Sequence, residues 1–147
     1  MACTVHPVLP GVYHIADGMG VCQTLLVGER EALLVDAGYG IENIRQVVEG
    51  ITSLPYRVIL THGHHDHVLG AQWFDETWMF PEDQEDFAEF TGEPPRRRIL
   101  DSAKSKGLPV DEEAYLAAAI PMPKPLSEQT IDLGGITAQI IHVPAHT

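Results

Sequence analysis

The chain has 147 residues, of which 44% are hydrophobic and 20% are charged. This composition predicts one globular domain with a single core and excludes a disordered linker. Nine basic residues against 21 acidic residues give a formal net charge of -12, which argues against nucleic-acid binding. We interpret the charge as an aid to solubility and not as an acidic recognition surface.

The N-terminal segment predicts neither export nor membrane insertion. Residues 1–7 lack a charged stretch followed by an apolar run, and the sequence has no stretch of about 18 apolar residues. We therefore expect a cytoplasmic protein. The two cysteines, Cys3 and Cys22, are too few for a disulfide framework. We expect reduced thiols, with Cys22 packed inside.

The first half of the chain predicts strands around a crossover helix. Strands are expected at residues 21–27, 32–36 and 57–61, with a hairpin turn at 28–31. A helix is expected from Ile41, because apolar side chains then recur at the spacing of one helix face. Gly50 and Pro55 are expected to end it. A strand, a helix and a second strand in this order predict a parallel pair.

The second half predicts helices followed by a hairpin. Residues 82–119 read as a helical excursion of three short helices, separated at 92–95 and 107–109. The basic run 96–98 is interpreted as a solvated helix face. Three prolines at positions 121, 123 and 125 predict a stiff connection back to the sheet. Strands at 130–133 and 136–143, joined by two glycines, then predict a hairpin.

Four of the eight histidines fall within the six residues His62-Gly63-His64-His65-Asp66-His67, directly after a predicted strand. Imidazole nitrogen and carboxylate oxygen are the ligands that zinc takes at about 2.0–2.2 Å, and a turn with glycine lets such side chains converge. The alternatives are a chance cluster of surface histidines or an affinity tag. The internal position excludes the tag, and few folds need four imidazoles and a carboxylate in one turn. The pattern therefore predicts a metal site.

Residues 61–67 resemble the HxHxDH signature of the metallo-β-lactamase superfamily. Residues 34–38, Leu-Val-Asp-Ala-Gly, look like the early Asp-x-Gly strand end of that family. Residues 143–147 resemble its PGHT element, with alanine where glycine is usual. The resemblance implies an α/β fold, the metallo-β-lactamase αββα sandwich. Residues 1–147 would supply its first half and the start of the second as one domain that is incomplete at its C-terminal end.

The resemblance also implies a ligand set. His62, His64 and His146 would hold a first metal ion, while Asp66 and His67 would contribute to a second. Asp66 would in addition be the catalytic carboxylate. Two zinc ions are expected in a complete site, and iron or manganese are alternatives.

The remaining candidates are expected to lie outside the coordination sphere. His65 is the variable position of the motif, and we expect it to line the pocket or face solvent. The histidines at positions 6, 14 and 142 have no motif position and are interpreted as ordinary residues. Asp36 is the last residue of a predicted strand, at the sheet edge where ligands collect in open α/β folds. It either orients a ligand histidine or caps a turn.

Such a site favours hydrolysis. A water bound to zinc has its pKa lowered from about 15.7 to about 7, so hydroxide becomes the nucleophile at neutral pH. Esters, thioesters, lactones, amides and phosphodiesters are suitable substrates. The resemblance favours small-molecule hydrolases of the hydroxyacylglutathione hydrolase and lactonase type. A β-lactamase lacks support because no export signal is seen, and a phosphodiesterase or nuclease is disfavoured by the charge. A redox function, as in the diiron oxygen reductases of the same fold, is a further alternative. It is disfavoured because those enzymes place a carboxylate where this chain has His64, and an additional histidine favours zinc.

The resemblance covers little more than the first half of the family's fold. A bridging aspartate and a third ligand of the second metal ion are expected after Thr147. Half of a sheet sandwich exposes an apolar face and an edge strand. We therefore expect a homo-oligomer or a complementing C-terminal polypeptide, and no nucleic-acid or membrane partner. The alternative is a metal-binding module without catalysis unless the missing half is supplied.

Overall fold

A computed structural model describes residues 3–144. The strands found there are β1 (Thr4–Leu9), β2 (Val12–Ala16), β3 (Cys22–Val27), β4 (Ala32–Val35), β5 (Tyr56–Ile59), β6 (Trp78–Met79), β7 (Lys124–Pro125), β8 (Gln129–Asp132) and β9 (Thr137–Ile140). The α-helices in the same residues are α1 (Ile44–Ile51), α2 (His65–Val68), α3 (Gln84–Phe90), α4 (Glu93–Ser105) and α5 (Glu112–Ala117). Two 3₁₀ turns lie at Leu69–Trp73 and Pro81–Asp83. None of the helices within residues 3–144 has the length and hydrophobicity of a membrane-spanning segment.

Seven strands form one mixed sheet in the order of the sequence, β1 to β7. The pairs from β1 to β4 are antiparallel, and the pairs from β4 to β7 are parallel. The predicted parallel pair around the crossover helix is confirmed, since β4 pairs with β5 in parallel. Strands β8 and β9 form the predicted antiparallel hairpin as a separate sheet.

The central strands of the large sheet are buried on both faces, and they are accordingly apolar at successive positions. Leu34, Val58 and Leu60 point to the face that packs on the helices. Leu33 and Ile59 point to the opposite face, which packs on the hairpin β8–β9. The described chain is therefore layered as helices, mixed sheet and second sheet. This arrangement agrees with the predicted α/β sandwich.

Helix α1 begins and ends later than its sequence pattern suggests. It starts at Ile44, because Asn43 caps it by accepting a hydrogen bond from the Gln46 backbone nitrogen at 3.3 Å. It runs through Gly50 and ends at Ile51, where Thr52 N donates to the Val48 carbonyl at 3.1 Å. The prediction that Gly50 ends the helix is wrong, since a side-chain cap and a regular backbone bond set its limits.

The helical excursion differs from its prediction at one boundary. Residues 92–95 were expected to separate two helices, but only Gly92 lies outside as the N-cap. Pro94 and Pro95 lie in the first turn of α4, where a missing N–H costs no hydrogen bond. Arg96 is not solvated as predicted. Its guanidinium donates to the carbonyls of Tyr115 at 3.3 Å and Ala118 at 2.8 Å, which ties α4 to α5.

Two further expectations fail. Cys22 is exposed, because it alternates along β3 with the buried Gln23 and so takes the outward position. The proline-rich connection is not only a linker, since Lys124–Pro125 forms the edge strand β7.

The hairpin of β1 and β2 was not predicted at all. Every residue of β1 is exposed, so its sequence lacks the alternation of apolar and polar residues by which a strand is predicted.

Candidate metal centre

The candidate centre lies at the carboxyl ends of β4 and β5. Because these strands are parallel, the residues that follow them meet at the same edge of the sheet. Asp36 comes directly after β4, and Thr61 begins the histidine turn shortly after β5. The position predicted from the sequence for Asp36 and the turn agrees with the structure. His146 lies outside the described residues.

Backbone hydrogen bonds attach the turn to the loop after β4. Ala37 N donates to the His67 carbonyl at 2.9 Å, and Gly70 N donates to the Gly38 carbonyl at 2.9 Å. Within the turn, His67 N donates to the His64 carbonyl at 3.0 Å. A side chain at position 70 would run into the Ala37 carbonyl, so glycine is required for this close approach. The histidine turn is therefore fixed to the sheet by main-chain contacts.

Asp36 organises the turn through its carboxylate. It is buried and adopts φ of 69°, a left-handed conformation that aspartate tolerates better than most residues. It accepts hydrogen bonds from Thr61 N at 2.8 Å and Thr61 Oγ1 at 2.9 Å, and it contacts His67 Nδ1 at 2.8 Å. The two interpretations left open by the sequence thus both apply: Asp36 caps the turn and orients a histidine.

The hydroxyl of Thr61 extends this organisation to a second histidine. Thr61 Oγ1 lies 3.0 Å from His62 Nδ1. A hydroxyl has one proton, and Thr61 uses it toward Asp36, so it accepts the Nδ1–H of His62. Asp36 therefore fixes His67 directly and His62 through Thr61, and in the neutral form of each ring the lone pair is placed on Nε2.

The pKa of His67 reflects the same contacts. Burial of the ring favours the neutral form, but the hydrogen bond and charge of Asp36 and the charge of Asp66 outweigh it and raise the pKa. His67 Nε2 lies 3.3 Å from Asp66 Oδ2. Two carboxylates thus face the two nitrogens of one imidazole, which is an arrangement that attracts a cation.

Three of the predicted ligands come together. One donor atom each of His62, Asp66 and His67 lies within 4.8 Å of the others, and the two imidazole centroids are 4.2 Å apart. Ligands around a tetrahedral zinc ion are separated by about 3.4 Å, so side-chain movements of about an ångström would close the set. Two imidazoles and a carboxylate suit a borderline divalent ion such as zinc. The donor set fits the expected metal.

His64 is placed differently from these three. Its ring centroid is 4.8 Å from that of His62, but its Nε2 lies 4.0 Å from Asp86 Oδ2 on α3. The ring also packs edge-on against Phe90 at 5.0 Å. The three-residue group does not include it. Its assignment as a ligand stays a prediction.

His65 lies between two aromatic rings and outside the three-residue group. Its ring is 5.5 Å from Tyr39 and 5.6 Å from Phe90. Burial lowers its pKa, and this effect exceeds the opposing attraction of Asp66. The placement suits the variable position of the motif, which we expected not to bind metal.

The sequence did not point to several residues that surround the turn. Asp86 and Phe90 stand four residues apart on α3, one helical turn from each other, and face the histidines. Tyr39 follows β4 beyond the recognised Asp-x-Gly stretch. The spacing of 86 and 90 was the available signal, but it does not say which surface the helix contacts.

An apolar groove leads away from the centre. A cavity of about 620 Å³ opens between the large sheet and the hairpin β8–β9, and Thr61, His62 and Asp83 line its polar end. Its remaining walls are mostly aliphatic side chains from both layers. Ile141 and Val143, near the described end, are exposed at 57% and 70%. The groove therefore offers a large apolar surface beside the histidine turn.

Comparison with known sequences identifies relatives. Residues 17–147 match the profile described as the Metallo-beta-lactamase superfamily. An uncharacterized protein of Mycobacterium tuberculosis is 31% identical over 140 residues, covering 88% of this chain and 58% of that protein. An uncharacterized protein of Mycobacterium leprae is 28% identical over 144 residues, covering 88% and 60%. The chain thus spans less than two thirds of the length of these curated relatives.

Comparison with solved structures identifies the fold. The metallo-beta-lactamase from Pontibacter korlensis superposes with a TM-score of 0.56 at 16% identity, covering 95% of this chain and 60% of that one. A motif mutant of the Cronobacter sakazakii enzyme gives 0.56 at 21% identity, covering 91% and 52%. The mono-zinc form of FIM-1 from Pseudomonas aeruginosa gives 0.53 at 16%, covering 60% and 46%. At these identities the similarity concerns the fold alone.

Proposed function

This chain belongs to the metallo-beta-lactamase superfamily, and from that membership we propose that it is a metal-dependent hydrolase whose ion is bound by the turn after β5. The observation that carries the proposal is the convergence of His62, Asp66 and His67 within 4.8 Å. Both imidazoles are already oriented by the Asp36 network. Histidines that bind a metal ion are usually oriented by such a carboxylate through their other ring nitrogen.

The protein residues have separate tasks in this proposal. By the resemblance, His62, His64 and His146 would hold a first metal ion, and Asp66 and His67 would contribute to a second. Of these five, His62, Asp66 and His67 lie together in the described residues. A bound zinc ion would supply a water with a pKa of about 7 and a charge that polarises the scissile bond. Asp66 presents a carboxylate inside the cluster and would also be the group that accepts the proton of the attacking water. Iron or manganese in place of zinc would leave these tasks unchanged.

We propose a small neutral or weakly charged ester, thioester or lactone as the substrate, as in hydroxyacylglutathione hydrolases and lactonases. The formal charge of -12 disfavours polyanions such as nucleic acids. The apolar groove beside His62 offers a surface for an uncharged group. A parallel hydrolysis screen with esters, thioesters, lactones, β-lactams and phosphodiesters tests this. Preference for β-lactams or phosphodiesters would contradict the assignment.

We also propose that the groove face associates with another polypeptide, either a second copy or a complementing C-terminal segment. Its aliphatic walls and the exposed Ile141 and Val143 form a surface that water solvates poorly. Light scattering across a concentration series tests this, and a monodisperse monomer that is active alone would contradict it.

The rival function is a metal-binding module without catalysis. About two zinc ions per chain favour the hydrolase, and about one favours the module.

Paired histidine variants test the metal assignment directly. His64→Ala is expected to weaken zinc binding by at least tenfold, because a coordinating imidazole is removed. His65→Ala is the matched control from the same turn and should change the zinc affinity less than twofold. Both affinities are measured by competition with a chromogenic chelator. If the two variants behave alike, or the parent chain binds no zinc, the proposed ligand set is wrong.

A further inference from the structure

Helix α3 forms a wall of the histidine turn, and it contacts the turn most closely at Gly63. A Cβ at this position would meet the Phe87 backbone nitrogen, the Asp83 carbonyl oxygen at 2.7 Å and Asp86 Cβ at 2.8 Å. There is no room for a side chain between the two segments. The backbone of the turn and the first turn of α3 are therefore in direct contact.

The helix is itself held in place from two directions. Phe87 is 1% exposed and belongs to the core between the sheet and the helices. Gln84 Nε2 donates to the Pro123 carbonyl at 3.2 Å, which ties the start of the helix to the segment before β7. Asp86 lies between these two anchors. Its position relative to the turn is thus set by packing and not by the flexibility of a surface loop.

Asp86 and Phe90 both face His64 from this helix. Asp86 Oδ2 lies 4.0 Å from His64 Nε2, and the ring of Phe90 lies 5.0 Å from the imidazole. The two side chains are about one third exposed, at 36% for Asp86 and 30% for His64. A separation of 4.0 Å is longer than a hydrogen bond, but a small side-chain movement or one bridging water would connect the two groups.

We propose that Asp86 is a positioning residue for His64, and this inference rests on the proposed metal-dependent function. The carboxylate of Asp86 accepts a hydrogen bond from the Nε2–H of the His64 imidazole. This leaves the lone pair of the ring on Nδ1, where it can bind the metal ion. The logic is that of Asp36 with His67, but with the opposite ring nitrogen. Carboxylates that orient metal-binding imidazoles in this way strengthen metal affinity. Helix α3 thereby becomes part of the metal centre.

Asp86 has a second physical role that the experiment must separate from this one. It lies in the first turn of α3, where an acidic side chain interacts favourably with the helix dipole. Glu85 lies in the same turn and is exposed, so it shares the dipole effect. Glu85→Gln is therefore the matched control for Asp86→Asn.

The test measures zinc affinity of the full chain by chelator competition, together with melting of the metal-free protein. Asp86→Asn is expected to weaken zinc binding about 10- to 100-fold, Asp86→Glu to recover part of the loss, and Glu85→Gln to stay within about twofold. The absorption bands of the Co²⁺-loaded protein should shift in Asp86→Asn only. Metal-free melting temperatures should agree between Asp86→Asn and Glu85→Gln.

The inference is overturned if Asp86→Asn binds zinc as tightly as the parent, or if Glu85→Gln weakens binding equally. It is also overturned, together with the proposed function, if the parent chain binds no zinc. Loss of affinity in Asp86→Asn without any hydrolysis by the parent would support the positioning role and remove the proposed hydrolase activity. The two failures are thus distinguishable.

Discussion

The two sides of the histidine turn are built in different ways. On the β4 side, Asp36 reaches Thr61 and His67 through contacts of 2.8–2.9 Å. On the α3 side, the turn is held by close packing around Gly63, and the polar contact of Asp86 with His64 is 4.0 Å long. The first side fixes hydrogen positions on the imidazoles, whereas the second fixes the place of a whole helix.

This difference suggests a division of tasks. Short charged hydrogen bonds select a tautomer and a ring orientation, so the β4 side prepares His62 and His67 before any ion arrives. Packing excludes volume but leaves a side chain some rotation, so the α3 side allows His64 to adjust. We expect substitutions at the packed contact around Gly63 to act mainly on folding stability, and those on the β4 side mainly on metal affinity.

The largest effect is expected from Gly63→Ala. The added methyl group would overlap the backbone of Phe87 and Asp83, so α3 must move, at a cost of about 1–3 kcal/mol in unfolding free energy. Gly50→Ala is the control, because no atom lies within 4 Å of its Cβ position and alanine favours the helix. Chemical denaturation measures both. Equal stability of the two variants would contradict the close packing of α3 on the turn.

A smaller change in stability but a clear loss of metal binding is expected from Asp36→Asn. Asparagine tolerates the left-handed backbone and can still accept from Thr61 N, but its amide donates toward His67 Nδ1. The tautomer of His67 is then inverted, and zinc affinity should fall about 10- to 100-fold. Chelator competition measures this. An unchanged affinity would show that the Asp36 network does not prepare the site.

The smallest effect is expected from Thr61→Val. Valine keeps the shape of the side chain but removes the hydroxyl that connects Asp36 to His62. Zinc affinity should fall by roughly tenfold or less, because His67 keeps its direct contact with Asp36. Thr61→Ser retains the hydroxyl and serves as the control in the same titration. A loss in Thr61→Ser as large as in Thr61→Val would rule out the hydroxyl as the cause.

The same two sides differ in how far the sequence predicts them. The β4 side follows from apolar strands, a crossover helix and a dense cluster of ligand residues, which are local signals. The parallel strands and the position of the turn were accordingly predicted, and Asp36 was expected there either to orient a histidine or to cap the turn. The hydrogen bonds that connect Asp36 to His62 through Thr61 were not predicted, because they depend on interatomic distances that residue spacing in the sequence does not give.

The α3 side could not be predicted in detail because its contacts are between elements. The sequence predicts helices in residues 82–119, but helical periodicity does not say that residues 86 and 90 face His64. Arg96 illustrates the same limit. A basic run normally predicts a solvent-exposed helix face. The guanidinium of Arg96 instead donates hydrogen bonds to two carbonyls at the end of α5. The exposed strand β1 lacked the alternation on which strand prediction depends.

The groups described above as shaping the histidine turn lie between Asp36 and Phe90, from the residue after β4 to the end of α3. During synthesis, this stretch leaves the ribosome before the hairpin β8–β9 has been made. Loops of this length close at modest entropic cost, and early segments of a nascent chain can begin to fold on emergence. We therefore expect the histidine turn to reach its shape while translation is still under way.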